Sequence, residues 1–213
     1  MGLDFYILDG SAPCSVVQMT AKAVGVELNL KPVDLFTGEH LKPEYLKLNP
    51  QHAVPTLVTE EGVSLCESRS IAVYLIERYA KDDSLYPKDP LKRAIVNQRL
   101  FFDLGTLYQR LIDRYYPLLF PTFKGRVVPN AEEQLKEAVG FLNTFLDGNA
   151  FVAGSEYTVA DISSLATVET LKACDFDISS YPNVAGWYDR AKVITPGFDN
   201  NENHGAAFRK FFG

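Results

Sequence analysis

Asp4-Phe5-Tyr6-Ile7-Leu8-Asp9-Gly10-Ser11-Ala12-Pro13-Cys14 runs from a strand through a sharp turn into the start of a helix. The apolar run ending at Leu8 reads as a buried strand, and Asp9-Gly10 stops it. Beyond the turn, Val16, Val17, Thr20, Ala21 and Val24 fall on one helical face. Gly25 then serves as a C-cap glycine, so the spacing predicts a helix over 12–24. Pro13 suits an early helical position, where its missing N–H costs nothing. Ser11 therefore stands where a hydroxyl meets the positive end of a helix dipole, and both favour an anion. Taken alone, it reads as a helix cap.

Working outward, the first eighty residues alternate short extended runs with helical patterns. Glu27 to Val33 reads as a second strand, and Pro43 to Leu48 as a short helix or irregular turn. Pro55-Thr56-Leu57-Val58-Thr59 and Val63-Ser64-Leu65-Cys66, joined through Glu60-Glu61-Gly62, read as a hairpin. Ser70 to Tyr79 is helical. The order β-α-β-α-β-β-α predicts an α/β domain over 1–80 whose last two strands are antiparallel. A polar linker with two prolines follows over 81–90, the composition of a domain boundary. From there to residue 213 strand signals nearly vanish, and long helices are expected over Leu91–Tyr115, Ala131–Leu146, Thr158–Ala173 and Pro182–Lys192. The second part is thus an all-α domain. Thr158-Val159-Ala160-Asp161 is a capping box, with Tyr157 and Ile162 as a hydrophobic staple. It reads as structural, and truncating Asp161 should cost on the order of 1 kcal/mol, more if the helix is buried.

Composition narrows the function. The chain of 213 residues is 46% hydrophobic and 23% charged, which is ordinary globular composition. Its net charge is −6 with Lys and Arg scattered, which argues against nucleic acid as a partner. No secretory signal or membrane-spanning run is expected, and Tyr6 breaks a myristoylation signal at Gly2. Cys14, Cys66 and Cys174 are odd in number and unpaired by spacing, which fits a cytoplasmic, reducing compartment. With His40, His52 and His204 they give no zinc-ligand spacing, so no metal is expected.

Ser11-Ala12-Pro13-Cys14 keeps the spacing of the C-x-x-C of thioredoxin-like redox proteins with the first cysteine replaced. That change removes the attacking thiol and leaves a hydrogen-bond donor, which disfavours a dithiol oxidoreductase. Cys14 reads as a small apolar residue facing the core. Val54-Pro55 and Glu67-Ser68-Arg69-Ser70 fall on further strand-to-helix edges of the same sheet, where ligands of α/β folds bind. Together these stretches resemble the glutathione transferase superfamily, and in detail the insect delta class. The resemblance also rests on Gly38-Glu39-His40-Leu41-Lys42-Pro43, Asn49-Pro50-Gln51-His52, Val54-Pro55-Thr56-Leu57 and Gly105-Thr106-Leu107-Tyr108-Gln109-Arg110. It covers all but roughly the last dozen residues.

The resemblance implies a thioredoxin-like N-terminal domain, an all-α C-terminal domain, a homodimer, and glutathione as co-substrate. It implies that Glu67 and Ser68 hold the γ-glutamyl ammonium and carboxylate with Arg69 in support. Asp103 would join their polar network, although alone it reads as a solvated helix carboxylate. Val54, before a Pro55 that is cis in such domains, would pair with the cysteinyl backbone. His52 and His40 would meet the glycyl carboxylate. Ser11 would hold the thiol as a thiolate; Tyr6, the residue type other classes use, lies inside the strand. Tyr108, Leu111, Tyr116, Leu119 and Phe120, which periodicity alone places in a core, would face Ala12, Pro13 and Leu35 around a hydrophobic electrophile. Phe208, Phe211 and Phe212 would close that site. Against the class pattern, Asp9 replaces a proline, Ser15 an arginine, Cys66 a tryptophan and Leu111 a phenylalanine. A carboxylate at Asp9 would oppose a thiolate unless it points to solvent. The implied activity is conjugation of hydrophobic electrophiles in detoxification. Peroxidase or dehydrochlorinase chemistry at the same site, or a non-catalytic ligand-binding role, are the alternatives.

Overall fold

Phe5 is wholly buried in the central strand, β1 (Leu3–Ile7), which alternates buried and half-buried side chains. A computed structural model describes residues 2–120 and 123–210. Helix α1 (Ala12–Val24) carries the chain back to β2 (Leu28–Pro32), which pairs parallel with β1, Phe5 beside Leu30. A parallel pair needs such a crossover. After the short helix α2 (Pro43–Leu48), β3 (Thr56–Val58) runs antiparallel to β1 and β4 (Ser64–Leu65) antiparallel to β3, giving the order β2-β1-β3-β4. Helix α3 (Ser68–Tyr79) closes this part. It begins two residues before the expected Ser70, so Ser68 and Arg69 lie in its buried first turn.

α1 is buried on two sides, which explains its dense apolar pattern. Cys14, Val17 and Ala21 pack with Phe5, Leu57, Ile71 and Leu75 against the sheet. Ala12, Val16 and Met19 instead join a core formed by the later helices, centred on Leu107, Leu111, Leu165 and Trp187. These are α4 (Pro90–Phe102), α5 (Tyr108–Leu119), α6 (Ala131–Phe145), α7 (Val159–Ala173), α8 (Pro182–Ile194) and α9 (Phe198–Arg209). Two further features depart from the sequence reading. The continuous helix expected over 91–115 is interrupted by a π turn at Asp103–Leu107, and α9 was not anticipated.

The capping box of α7 does more than cap. Asp161 accepts from Thr158 N–H at 2.9 Å, Val152 N–H at 2.9 Å and Trp187 Nε1 at 2.9 Å, while the Thr158 hydroxyl accepts from Ala160 N–H. Burial pushes its carboxyl up to about 6 against the pull of these donors. The cost of about 1 kcal/mol expected from a surface cap is therefore too small. Asp161→Ala strands three buried donors and should lower stability by about 3 kcal/mol, read from the urea midpoint.

Candidate functional site

A cavity of about 600 Å³ opens between the sheet edge and the helices. On the sheet side it is lined by Leu8, Gly10, Ser11 and Pro13, by Leu35, Phe36 and His40, and by Gln51, His52, Ala53 and Val54. On the helical side its wall is Tyr108, Tyr116, Phe120, Phe123 and Phe208.

Ser11 is half-buried at the N-cap of α1, in the extended backbone conformation an N-cap adopts (φ −85°, ψ 112°). Its Oγ accepts from Cys14 N–H at 3.4 Å. Capping uses a lone pair on the oxygen and leaves the hydroxyl proton free to donate. The cap reading and the anion-binding reading of Ser11 are thus compatible in one geometry. Pro13 beside it lines the cavity and has no N–H to satisfy. Cys14 is fully buried, and burial pushes its thiol up to about 11, so it is no thiolate at neutral pH. Tyr6 packs edge-on to Tyr45 at 5.7 Å between centroids and does not line the cavity. Asp9 is exposed and lies outside the cavity lining, although its carboxylate still acts on the neighbouring Cys14 thiol and raises its pKa.

The Val54-Pro55 peptide is cis, with Val54 on the cavity wall and Pro55 buried behind it. His40 and His52 approach with ring centroids 6.1 Å apart. Burial and the neighbouring His52 lower the pKa of His40, and its Nδ1 is shut off from solvent without a partner. A buried nitrogen of this kind ordinarily has a hydrogen-bond partner.

Glu67 precedes α3 in the left-handed region at φ 67°, a conformation rare for a residue with a Cβ. Its side chain is exposed, whereas those of the next two residues are not. The Arg69 guanidinium donates to Ser68 Oγ at 2.8 Å, to Ser163 Oγ at 2.9 Å and to Asp103 Oδ2 at 2.5 Å. Ser163 also donates to Asp103. Asp103 is wholly buried and lies at the π turn, so the reading of it as a solvated helix carboxylate is corrected. Neither Glu67, Ser68, Arg69 nor Asp103 lines the cavity; they form an adjoining cluster at the start of α3.

The helical wall is aromatic and carries two hydroxyls. Tyr108 and Tyr116 share a hydrogen bond at 2.8 Å. Burial pushes Tyr108 up to about 12 and holds Tyr116 well above its ordinary value, so both phenols stay neutral. Each hydroxyl has one proton; a pair sharing one bond keeps a second proton for a group in the cavity. Arg69 lies over the Tyr108 ring at 5.4 Å and so joins this wall to the buried ion pair.

Three residues expected around the electrophile do not reach it. Ala12 is only 4% exposed and Leu111 0%, both within the helical core, and Leu119 packs against that core from outside. Phe123, part of the same aromatic-rich stretch as Tyr116 and Phe120, also lines the cavity, and so does Phe36, which nothing in the sequence singles out. Phe36 stacks on Phe120 at 5.9 Å, bridging the two sides. A lone phenylalanine in a loop gives no periodic signal, so nothing in the pattern marked it. Phe208 is at the cavity as expected; Phe211 and Phe212 lie outside the described residues.

Among the described residues no group of three or more His, Cys, Asp or Glu side chains is placed to hold a metal. No described helix is long and apolar enough to cross a membrane. Residues 5–83 match the family described as Glutathione S-transferase, N-terminal domain, and residues 108–191 match its C-terminal domain. Among solved structures the chain is similar to a delta-class glutathione transferase of Nilaparvata lugens, at 49% identity and TM-score 0.92 over 99% of this chain and 98% of that one. A Bombyx mori glutathione transferase is 43% identical with TM-score 0.93, covering 99% of this chain and 98% of that one. An epsilon-class enzyme from the housefly, Musca domestica, is 37% identical with TM-score 0.90, covering 99% and 96%. Matched in both halves and at 49% identity over nearly its whole length, the chain belongs to the glutathione S-transferase family and is a glutathione transferase.

Proposed function

We propose that this chain is a delta-class enzyme that holds glutathione with its sulfur at Ser11 and conjugates it to hydrophobic electrophiles. The observation that carries the reading is Ser11: a hydroxyl whose proton the helix cap does not use, at a helix N-terminus, on the wall of an aromatic cavity. A free thiol has a pKa near 8.5. Bringing it about two units lower needs roughly 2.7 kcal/mol of differential stabilisation. A hydrogen bond to a charged acceptor supplies about 1.5–3 kcal/mol and a helix terminus about 0.3–1 kcal/mol. The two together suffice.

In this reading Glu67 and Ser68 hold the γ-glutamyl ammonium and carboxylate, while Arg69 and Asp103 act behind them. Val54 pairs with the cysteinyl backbone, and His40 and His52 take the glycyl carboxylate. The sulfur of the thiolate attacks the electrophilic carbon, a carbon–sulfur bond forms, and the leaving group departs with its electron pair. The second proton of the Tyr108–Tyr116 pair is available to the charge that develops on the electrophile. We divide the chain into a glutathione-binding part over 1–80, a linker over 81–90 and an electrophile-binding part over 91–213. We also infer a homodimer, supported by Phe101 and Leu104, one helical turn apart and exposed. The free cysteines Cys14, Cys66 and Cys174 favour a cytoplasmic setting, where such an activity serves detoxification.

The test is release of chloride from a chlorodinitrobenzene-type electrophile in the presence of glutathione. Saturation in glutathione with stoichiometric thioether product is expected. Binding of the electrophile without turnover would contradict the reading and leave a ligand carrier.

A further inference from the structure

Gly10 joins the exposed Asp9 to Ser11, and its backbone lies in the left-handed region at φ 82°. Two hydrogen bonds of this turn are local: Ser11 N–H donates to Leu8 C=O at 3.2 Å, and Ser15 N–H to Ser11 C=O at 3.0 Å. The bond from Gly10 itself is not. Its buried N–H donates to Nδ1 of His204 on α9 at 3.2 Å, across 194 positions of sequence. A buried N–H without an acceptor is costly, so this imidazole fixes where the turn sits.

The position of His204 is itself constrained. A Cβ on Gly205 would come within 2.9 Å of Glu169 Oε1 on α7, and one on Gly197 within 3.1 Å of Lys22 Cγ on α1. α9 is thus seated closely on both helices. One turn beyond His204, Phe208 lines the cavity, its ring 6.3 Å from those of Tyr116 and Phe120. The same helix therefore touches the electrophile wall and the turn that presents Ser11. An Nδ1 that accepts belongs to a neutral imidazole with its hydrogen on Nε2. Burial favours that form, against the pull of Asp9.

We propose that His204 is a positioning residue: by accepting from Gly10 N–H it holds the turn so that the Ser11 hydroxyl faces the bound sulfur. The inference rests on the reading of Ser11 as the thiolate donor. The experiment compares His204→Leu, which has no acceptor, with His204→Asn, whose Oδ1 can accept in place of Nδ1. The readouts are kcat, KM for glutathione, and the apparent pKa of the bound glutathione thiol from thiolate absorbance, with Tm measured alongside. His204→Leu should lower kcat on the order of tenfold and raise the thiol pKa by about one unit. His204→Asn should recover most of both, whatever its Tm. Should the leucine variant not fold, His204→Phe, a ring without an acceptor, carries the same expectation. Equal thiol pKa values in the asparagine variant and the variant lacking an acceptor, or a wild-type value in both, would overturn the proposal. Ser11→Ala run in parallel separates the two layers. If Ser11→Ala raises the thiol pKa and loss of the His204 acceptor does not, only this inference falls. If Ser11→Ala changes nothing, the reading beneath it falls as well.

Discussion

Replacing Ser11 with alanine is expected to lower kcat for glutathione conjugation by about two orders of magnitude, with a much smaller change in KM for glutathione. The magnitude is that of losing one donor aimed at developing or resident negative charge. The asymmetry between kcat and KM follows from where the hydroxyl sits. In the proposed site it would meet only the sulfur, whereas Glu67, Ser68, His52 and Val54 would grip the rest of the tripeptide. The variant should keep its fold, because the cap that Ser11 gives to Cys14 N–H is long at 3.4 Å. Losing an N-cap of this type costs about 1 kcal/mol. Cys14 cannot substitute for the lost hydroxyl, since its thiol is fully buried against the sheet and does not line the cavity. An unaltered kcat would remove Ser11 from the mechanism.

The second large effect is on stability. Asp103 is wholly buried, and the Arg69 side chain is only 7% exposed. Asp103→Ala leaves that guanidinium with two serine hydroxyls and no counter-charge in a dry site. Breaking a buried pair from one side costs about 3–5 kcal/mol, which for a chain of this size lowers Tm by roughly 10 °C. The loss should reach glutathione binding too, because Arg69 donates to Ser68 at the start of α3. Removing both charges, as Arg69→Met with Asp103→Leu, should restore much of the stability without restoring the KM for glutathione. A single Asp103→Ala variant that melts with the wild type would show that Arg69 has other means of support.

How far the sequence could be read depended on whether each signal was local. Helix α1 follows from its own residues: Ser11 as cap, Pro13 inside the first turn, Gly25 in the left-handed conformation at its end. The hairpin and α2 were legible for the same reason. Helix α9 was not, because Asp199-Asn200-Asn201-Glu202-Asn203-His204-Gly205 combines poor helix formers with no apolar stripe. Its helicity comes from packing on α1 and α7, and with it the Gly10–His204 bond stayed hidden. The π turn at Asp103–Leu107 inserts a residue without disturbing composition, so periodicity across 91–115 read as one helix. It is this turn that carries Asp103, in contact with Arg69 and Ser163 on other helices. In the cavity, periodicity grouped Leu111 with Tyr108 and Tyr116, yet the first faces the core and the others the site. Helical spacing marks an apolar face without telling whether protein or ligand will cover it.

The most direct test of the thiolate mechanism is ultraviolet titration of glutathione bound to the wild-type enzyme, followed by thiolate absorbance against pH. A hydroxyl donor and a helix N-terminus at Ser11 should bring the bound thiol about two units below the free value near 8.5. In the Ser11→Ala variant the same titration should return most of the way to the free value. A wild-type thiol that titrates no lower than free glutathione would contradict the mechanism at its centre.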